Sequence, residues 1–268
     1  MTDAIDFMGM PAIDMHGHCG RYEGFNASEA LMYNAETAEV AARAAACVIA
    51  TTVVSSLSAF DPAPDRPVDV DAANQQACED VEANANLRFY VVVNPKLPGW
   101  HATTQVMLDH PSCVGVKLHP RWNYWSVEEH GDELFGFLNE LKLLTLTHTG
   151  NLGNEPERFI PFANKHPHLK LILAHIGHSE TRTYDLQIKA VKAATRGNVW
   201  ADTSSAKSIT SRLIEYAVDQ IGAERILFGT DSPLYFPAMQ KARIAYAGIS
   251  DDAKRRILYD NAAELLND

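Results

Sequence analysis

The chain has 268 residues, 46% of them apolar and 21% charged, and carries a formal charge of −11. That length fits one α/β barrel, which needs about 250 residues, and the apolar share can fill one large core, so a single domain over residues 1–268 is expected. The acidic balance argues against nucleic-acid binding, which draws its affinity from clustered Lys and Arg on phosphates. Four separated cysteines form no C-x-x-C pair, and no apolar run is long enough to span a membrane, so a reduced cytoplasmic protein is expected.

In chain order, short β-branched apolar runs alternate with longer amphipathic stretches. Strand Ala12 to His16 precedes helix Ala27 to Ala46, and strand Val48 to Val54 precedes helix Val70 to Ala85. Strands Arg88 to Asn94 and Val114 to His119 precede helices Ala102 to Asp109 and Asp132 to Lys142. Strands Leu144 to His148 and Lys170 to His175 precede helices Pro156 to Lys165 and Tyr184 to Thr195. Strand Val199 to Thr203 leads to helix Ser211 to Ile221, and strand Arg225 to Thr230 leads to helices Pro237 to Ala247 and Asp251 to Leu266. Strict alternation implies parallel strands with right-handed crossovers, and eight of them predict a (β/α)8 TIM barrel, with a doubly wound sheet as the second topology.

A barrel of this kind carries its site at the C-terminal ends of its strands. There the chain places His16 and His18 after strand 1, Lys117 and His119 on strand 4, His148 after strand 5, His175 after strand 6 and Asp231 after strand 8. Histidines at i and i+2 on a strand share a face, so His16 and His18 can reach one ion. By the same alternation, Cys19 points away. Neutral imidazoles with a carboxylate suit Zn²⁺ first, and Mn²⁺, Fe²⁺ or Co²⁺ as well. No G-x-S-x-G elbow or phosphate-binding glycine loop competes with this metal reading.

The strings Asp14-Met15-His16-Gly17-His18, Gly115-Val116-Lys117-Leu118-His119-Pro120, Thr147-His148-Thr149-Gly150, Ala174-His175-Ile176-Gly177, Gly229-Thr230-Asp231-Ser232-Pro233 and Asn261-Ala262-Ala263 together resemble the amidohydrolase superfamily, within it the amidohydrolase-related (type 2) branch. The resemblance implies His16, His18, His148 and Asp231 as metal ligands, Asp231 as the proton-handling group and His175 as a catalytic residue that polarises substrate. It also implies a choice between one metal ion and a pair bridged by a carbamylated Lys117. We favour one ion, with Lys117 as an inner barrel residue, whose bland alternative is an ion pair with Asp14, and His119 beside the substrate.

A divalent ion acidifies water and polarises a carbonyl, so hydrolysis of an amide, lactone or ester is the first expectation. Decarboxylation or hydration of an aromatic or unsaturated acid, known in the same branch, is the second. A catalytically inactive metal-binding barrel is the third. Arg21, Arg121 and Trp122 in the rim loops, joined by Tyr22, Tyr124, Trp125, Tyr235 and Phe236, suit a small carboxylate. The expected partner is such a small molecule, with no nucleic acid or membrane, and relatives of the branch imply a homodimer.

Overall fold

Eight parallel strands lie side by side in the order in which they occur in the chain, in a computed structural model that describes residues 5–205 and 210–267. They are β1 Ala12–Cys19, β2 Ile49–Ser56, β3 Leu87–Val93, β4 Cys113–Leu118, β5 Leu144–Thr147, β6 Lys170–Leu173, β7 Val199–Asp202 and β8 Ile226–Leu227. The barrel closes between the segment after β8 and β1 through backbone bonds from Met15 N–H to Phe228 O at 2.9 Å, Asp231 N–H to His16 O at 2.7 Å and His18 N–H to Ser232 O at 2.6 Å. The expected (β/α)8 architecture is therefore the one observed.

The strands read as apolar runs because both faces are covered. Along β6, Leu171 and Leu173 pack outwards beneath the helices while Ile172 faces the barrel interior with Met15, Val53, Tyr90 and Leu146. Cys19 belongs to the outer layer, as the alternation predicted, and burial lifts its thiol to about 12. The helices bury the matching stripe. In α2 (Thr37–Ala46), which follows α1 (Ala27–Tyr33), Val40, Ala41 and Ala44 are buried.

Two departures from the sequence expectations matter for the rim. The stretch predicted as one helix from Ala27 to Ala46 is broken after Tyr33, because Asn34 accepts the backbone N–H of Tyr22 at 3.0 Å and Ala35 bridges Gly20. The last strand is shorter than expected and the first is longer, since residues after Leu227 leave the β7 ladder to close on β1.

Lys241, wholly buried on the helix Pro237–Ala245, donates to the carbonyls of Met8, Met10, Cys47 and Val48 at 2.7 to 3.0 Å. A buried ammonium is tolerated only when so many acceptors replace its water. Among the described residues, no helix is long and apolar enough to cross a membrane.

Candidate metal centre and pocket

The seam that closes the barrel also assembles a cluster of ligand atoms. His16 and His18 stand on β1, and the backbone bond from Asp231 to His16 brings the carboxylate alongside them. Asp231 Oδ1 lies 3.4 Å from Nε2 of His16 and 3.1 Å from Nε2 of His18. Asp231 adopts a left-handed φ of 57°, a conformation costing about 1–3 kcal/mol that surrounding structure must hold in place. Here the holders are its bond to His16 and the close approach at Gly229, where a Cβ would sit within 3.2 Å of the Asp202 and Ser204 side chains.

The protonation pattern suits a cation. Burial, against the pull of Asp231, lowers His18 to about 4, so it stays neutral with a lone pair to give. Burial alone would raise Asp231, but the hydrogen bond from His18 and the neighbouring His16 and Lys117 outweigh it and hold the carboxyl at about 2. Asp202, at the end of β7, is also held below its ordinary value despite burial, chiefly by His16. Its Oδ2 accepts from Nδ1 of His16 at 2.8 Å, which leaves Nε2 of His16 facing the cluster. Ser55 Oγ, beside His18 in the β1–β2 register, lies 2.9 Å from Nδ1 of His18 and holds that ring from behind. Such outer partners fix the tautomer and orientation of metal-binding histidines. Two buried imidazoles and an ionised carboxylate, each with its outer partner, fit a divalent ion.

A second triad, His16, His175 and Asp202, also gathers ligand atoms within 4.8 Å of one another. Its carboxylate is already engaged, by His16, by the backbone N–H of His175 at 2.9 Å and by the Ser204 hydroxyl, so it serves to position both rings. Ser204 Oγ in turn lies 2.7 Å from Nδ1 of His175, itself in a left-handed conformation with φ of 74°. Asp14 stitches the same seam from below. Its carboxylate accepts from Thr230 N–H at 2.9 Å and Oγ1 at 2.6 Å, and burial, partly offset by these bonds, pushes it up to about 7.

His148, which the resemblance implies as a metal ligand, lines the pocket beside His175. It stands outside the His16, His18 and Asp231 group, with Nδ1 3.1 Å from Nε2 of His175 and Nε2 against the side-chain oxygen of Asn151. Its ring stacks on His119 at 4.1 Å, and His119 stacks on Trp122 at 4.5 Å. Burial lowers His148 to about 3 and holds His119 and His175 well below their ordinary values, so these three rings are uncharged. Lys117 is wholly buried with Nζ 2.8 Å from Nε2 of His16, and burial brings it down to about 8. The pairing weighed between Lys117 and Asp14 is thus replaced by contact with the histidine.

A cavity of about 200 Å³ opens onto these groups, lined among others by His119, Trp122, His175, Asp231, Tyr235 and Arg121. Arg21 does not line it. That side chain turns to solvent and pairs with Glu36 at 3.2 Å, because the broken α1–α2 segment presents a carboxylate there. Asp202, Ser204, Ser55, Asn151 and Glu180 escaped the sequence reading. For Asp202 the signal existed, since it ends β7 as Asp231 follows β8. Behind the pocket, Arg243 donates to the carbonyls of Thr203 and Ser205 and has no carboxylate partner among the described residues. Burial lowers it to about 10, still protonated at neutral pH.

The amidohydrolase family model matches residues 13–267. No curated protein matches the chain. Among solved structures, the chain is similar to 5-carboxyvanillate decarboxylase from Sphingomonas paucimobilis, with a TM-score of 0.74 and 14% identity over 96% of this chain and 99% of that one. It is also similar to 2,6-dihydroxybenzoate decarboxylase from Rhizobium, with a TM-score of 0.73 and 15% identity over 97% and 99% of the two chains. A third likeness is dihydroxybenzoic acid decarboxylase from Polaromonas sp. JS666, solved with bound manganese and 2-nitroresorcinol, with a TM-score of 0.73 and 16% identity over 96% and 97%. At these identities the three likenesses establish the fold.

Proposed function

The chain belongs to the amidohydrolase family, and on that premise we propose that it is a metal-dependent decarboxylase of a small, planar carboxylic acid. The observation that carries this reading is the pocket. At about 200 Å³ it lies below the roughly 300–1,000 Å³ of drug-sized sites, so it holds one ring and its substituents. An open-chain amide or ester needs room on both sides of its scissile bond, whereas an aromatic acid losing CO₂ needs room for the ring alone. The three likenesses named above, each a decarboxylase of an aromatic acid, support the same choice.

His16, His18 and Asp231 would hold the ion, with zinc or manganese suiting the donor set. When bound, the ion supplies a Lewis acid that polarises a substrate oxygen. The neutral rings of His119, His148 and His175 orient the acid by hydrogen bonds without neutralising it. A carboxylate stripped of water there gains by leaving as uncharged CO₂. Asp231, ionised at rest, takes a proton from the substrate's hydroxyl group and returns it to the ring carbon as the C–C bond breaks. The bonding pair stays on that carbon and forms the new C–H bond, so the hydroxy-acid anion becomes a phenolate plus CO₂, and the phenolate takes a proton from water.

Hydrolysis of a compact lactone or cyclic amide is the second reading, favoured by the same ionised Asp231, which can equally accept a proton from water. The test is a panel of hydroxybenzoates, small lactones and cyclic amides with the Mn²⁺- or Zn²⁺-loaded protein. CO₂ released in step with loss of the acid supports decarboxylation. A new carboxylate without CO₂ supports hydrolysis and rejects our first reading.

A further inference from the structure

We infer that Glu180 determines specificity at the pocket mouth: its fixed carboxylate occupies Arg121, so the pocket accepts an acid with one carboxylate and discriminates against one with two. This inference rests on the small-carboxylate reading above and narrows its substrate class.

Arg121 is the arginine that lines the cavity, and its Nη1 lies 3.1 Å from Glu180 Oε1. With side-chain exposures of 46% and 32%, the pair itself is weak, since water screens it. What makes it selective is that the two partners are held unequally. The Glu180 carboxylate also accepts from Asn151 Nδ2 at 2.7 Å and from the backbone N–H of Leu152 at 3.1 Å, and its own backbone N–H donates to Gly150 O at 3.1 Å. Gly150 has a left-handed φ of 102°, and a Cβ there would lie 2.4 Å from His178 O, so this close apposition of the loops after β5 and β6 requires glycine.

The hydrogen bonds from Leu152 and Asn151, with Arg121 nearby, hold Glu180 below the ordinary carboxylate range, so its charge persists at neutral pH. Arg121 can swing on a long side chain. Glu180 cannot follow, because Asn151 and Leu152 still hold its carboxylate and its own backbone N–H is tied to Gly150. A ligand carboxylate reaching Arg121 therefore leaves Glu180's negative charge in place beside its own. Asn151 carries the same restraint inwards, since its side-chain oxygen sits against Nε2 of His148.

The test is calorimetric titration of the metal-loaded protein with benzoate, which has one carboxylate, and isophthalate, which has two. The expected result is tighter binding of benzoate by the unaltered protein. Glu180→Gln keeps an oxygen for Asn151 and removes the charge, so it should tighten isophthalate about fivefold while changing benzoate less than about twofold. Adding Arg121→Met to Glu180→Gln should abolish that gain, and Arg121→Met alone, which leaves Glu180 uncompensated, should weaken isophthalate more than benzoate. The single Arg121 variant keeps the test open if Glu180→Gln does not fold. Equal changes for both ligands, or no tightening of isophthalate, would overturn the inference while leaving the decarboxylase reading standing. Release of no CO₂ from any hydroxybenzoate of the panel would remove the decarboxylase reading separately.

Discussion

The two sides of the pocket mouth are built in different ways. On the seam side, His16, His18 and Asp231 are set by a strand and by the backbone bonds that close the barrel, with Asp202 and Ser55 holding the rings from behind. On the loop side, His119, His148 and His175 are set by one another and by Asn151, which in turn leans on Glu180. The first side holds an anionic carboxylate beside the neutral His18, and the second holds three neutral rings with the Arg121–Glu180 pair at their edge. The seam gathers the ligand atoms that suit a cation, and we propose that the organic part of a substrate packs against the loop side.

The strongest way to break this division is Asp231→Asn. It keeps an oxygen but removes the charge, so it should weaken metal binding and, at saturating Mn²⁺ or Zn²⁺, lose turnover by about 10²–10⁴, measured as CO₂ release from the best acid of the panel. Activity near that of the unaltered protein would place the proton-handling group elsewhere. Next is Asp202→Asn, which touches neither pocket nor ion and should weaken metal affinity about 10–100-fold, read by competition with a chelating dye. Unchanged affinity would reduce Asp202 to a packing role. Asn151→Ala should sharpen the contrast by raising KM about fivefold, the worth of one hydrogen bond, with metal affinity unchanged.

The smallest effect concerns stability. His18 and His148, held by burial at about 4 and about 3, resist protonation in the folded state, whereas the unfolded chain takes up protons below about 6.5. The unfolded state then binds more protons, so the metal-free protein should lose stability as pH falls from about 6.5 towards 4. Asp231, whose pKa is depressed from 3.8 to about 2, adds stability above 3.8 that is lost only as pH falls below that value. Asp14, pushed up to about 7, gains stability over the same fall and opposes the rings, so the check is made in Asp14→Asn, where a thermal melting midpoint unchanged between pH 7 and 5 would contradict the neutral, buried state of these rings.

The seam side was legible in the sequence because its information is local. A His-x-His on a strand has one geometry, and Asp231 follows the last strand of a regular alternation. The loop side was legible in part: His119, Arg121, Trp122, His148 and His175 do line the cavity, but the groups that set them are far apart in the chain. Whether His148 joins the ligand cluster depends on Asn151 three residues on and on Glu180 in the next loop. Arg21 looked equivalent to Arg121, yet the break after Tyr33 gave it Glu36 instead. The short last strand was likewise hidden, since closure on His16 is a tertiary event that no strand propensity encodes.

The central claim is that the barrel seam presents His16, His18 and Asp231 as one cation site. The most direct measurement is bound metal per chain, by elemental analysis of the folded protein after equilibration with Mn²⁺ or Zn²⁺, for the unaltered chain and for His18→Ala and His148→Ala. His18→Ala should lose most of the metal and His148→Ala should retain it. Metal retained by His18→Ala and lost by His148→Ala would contradict that claim.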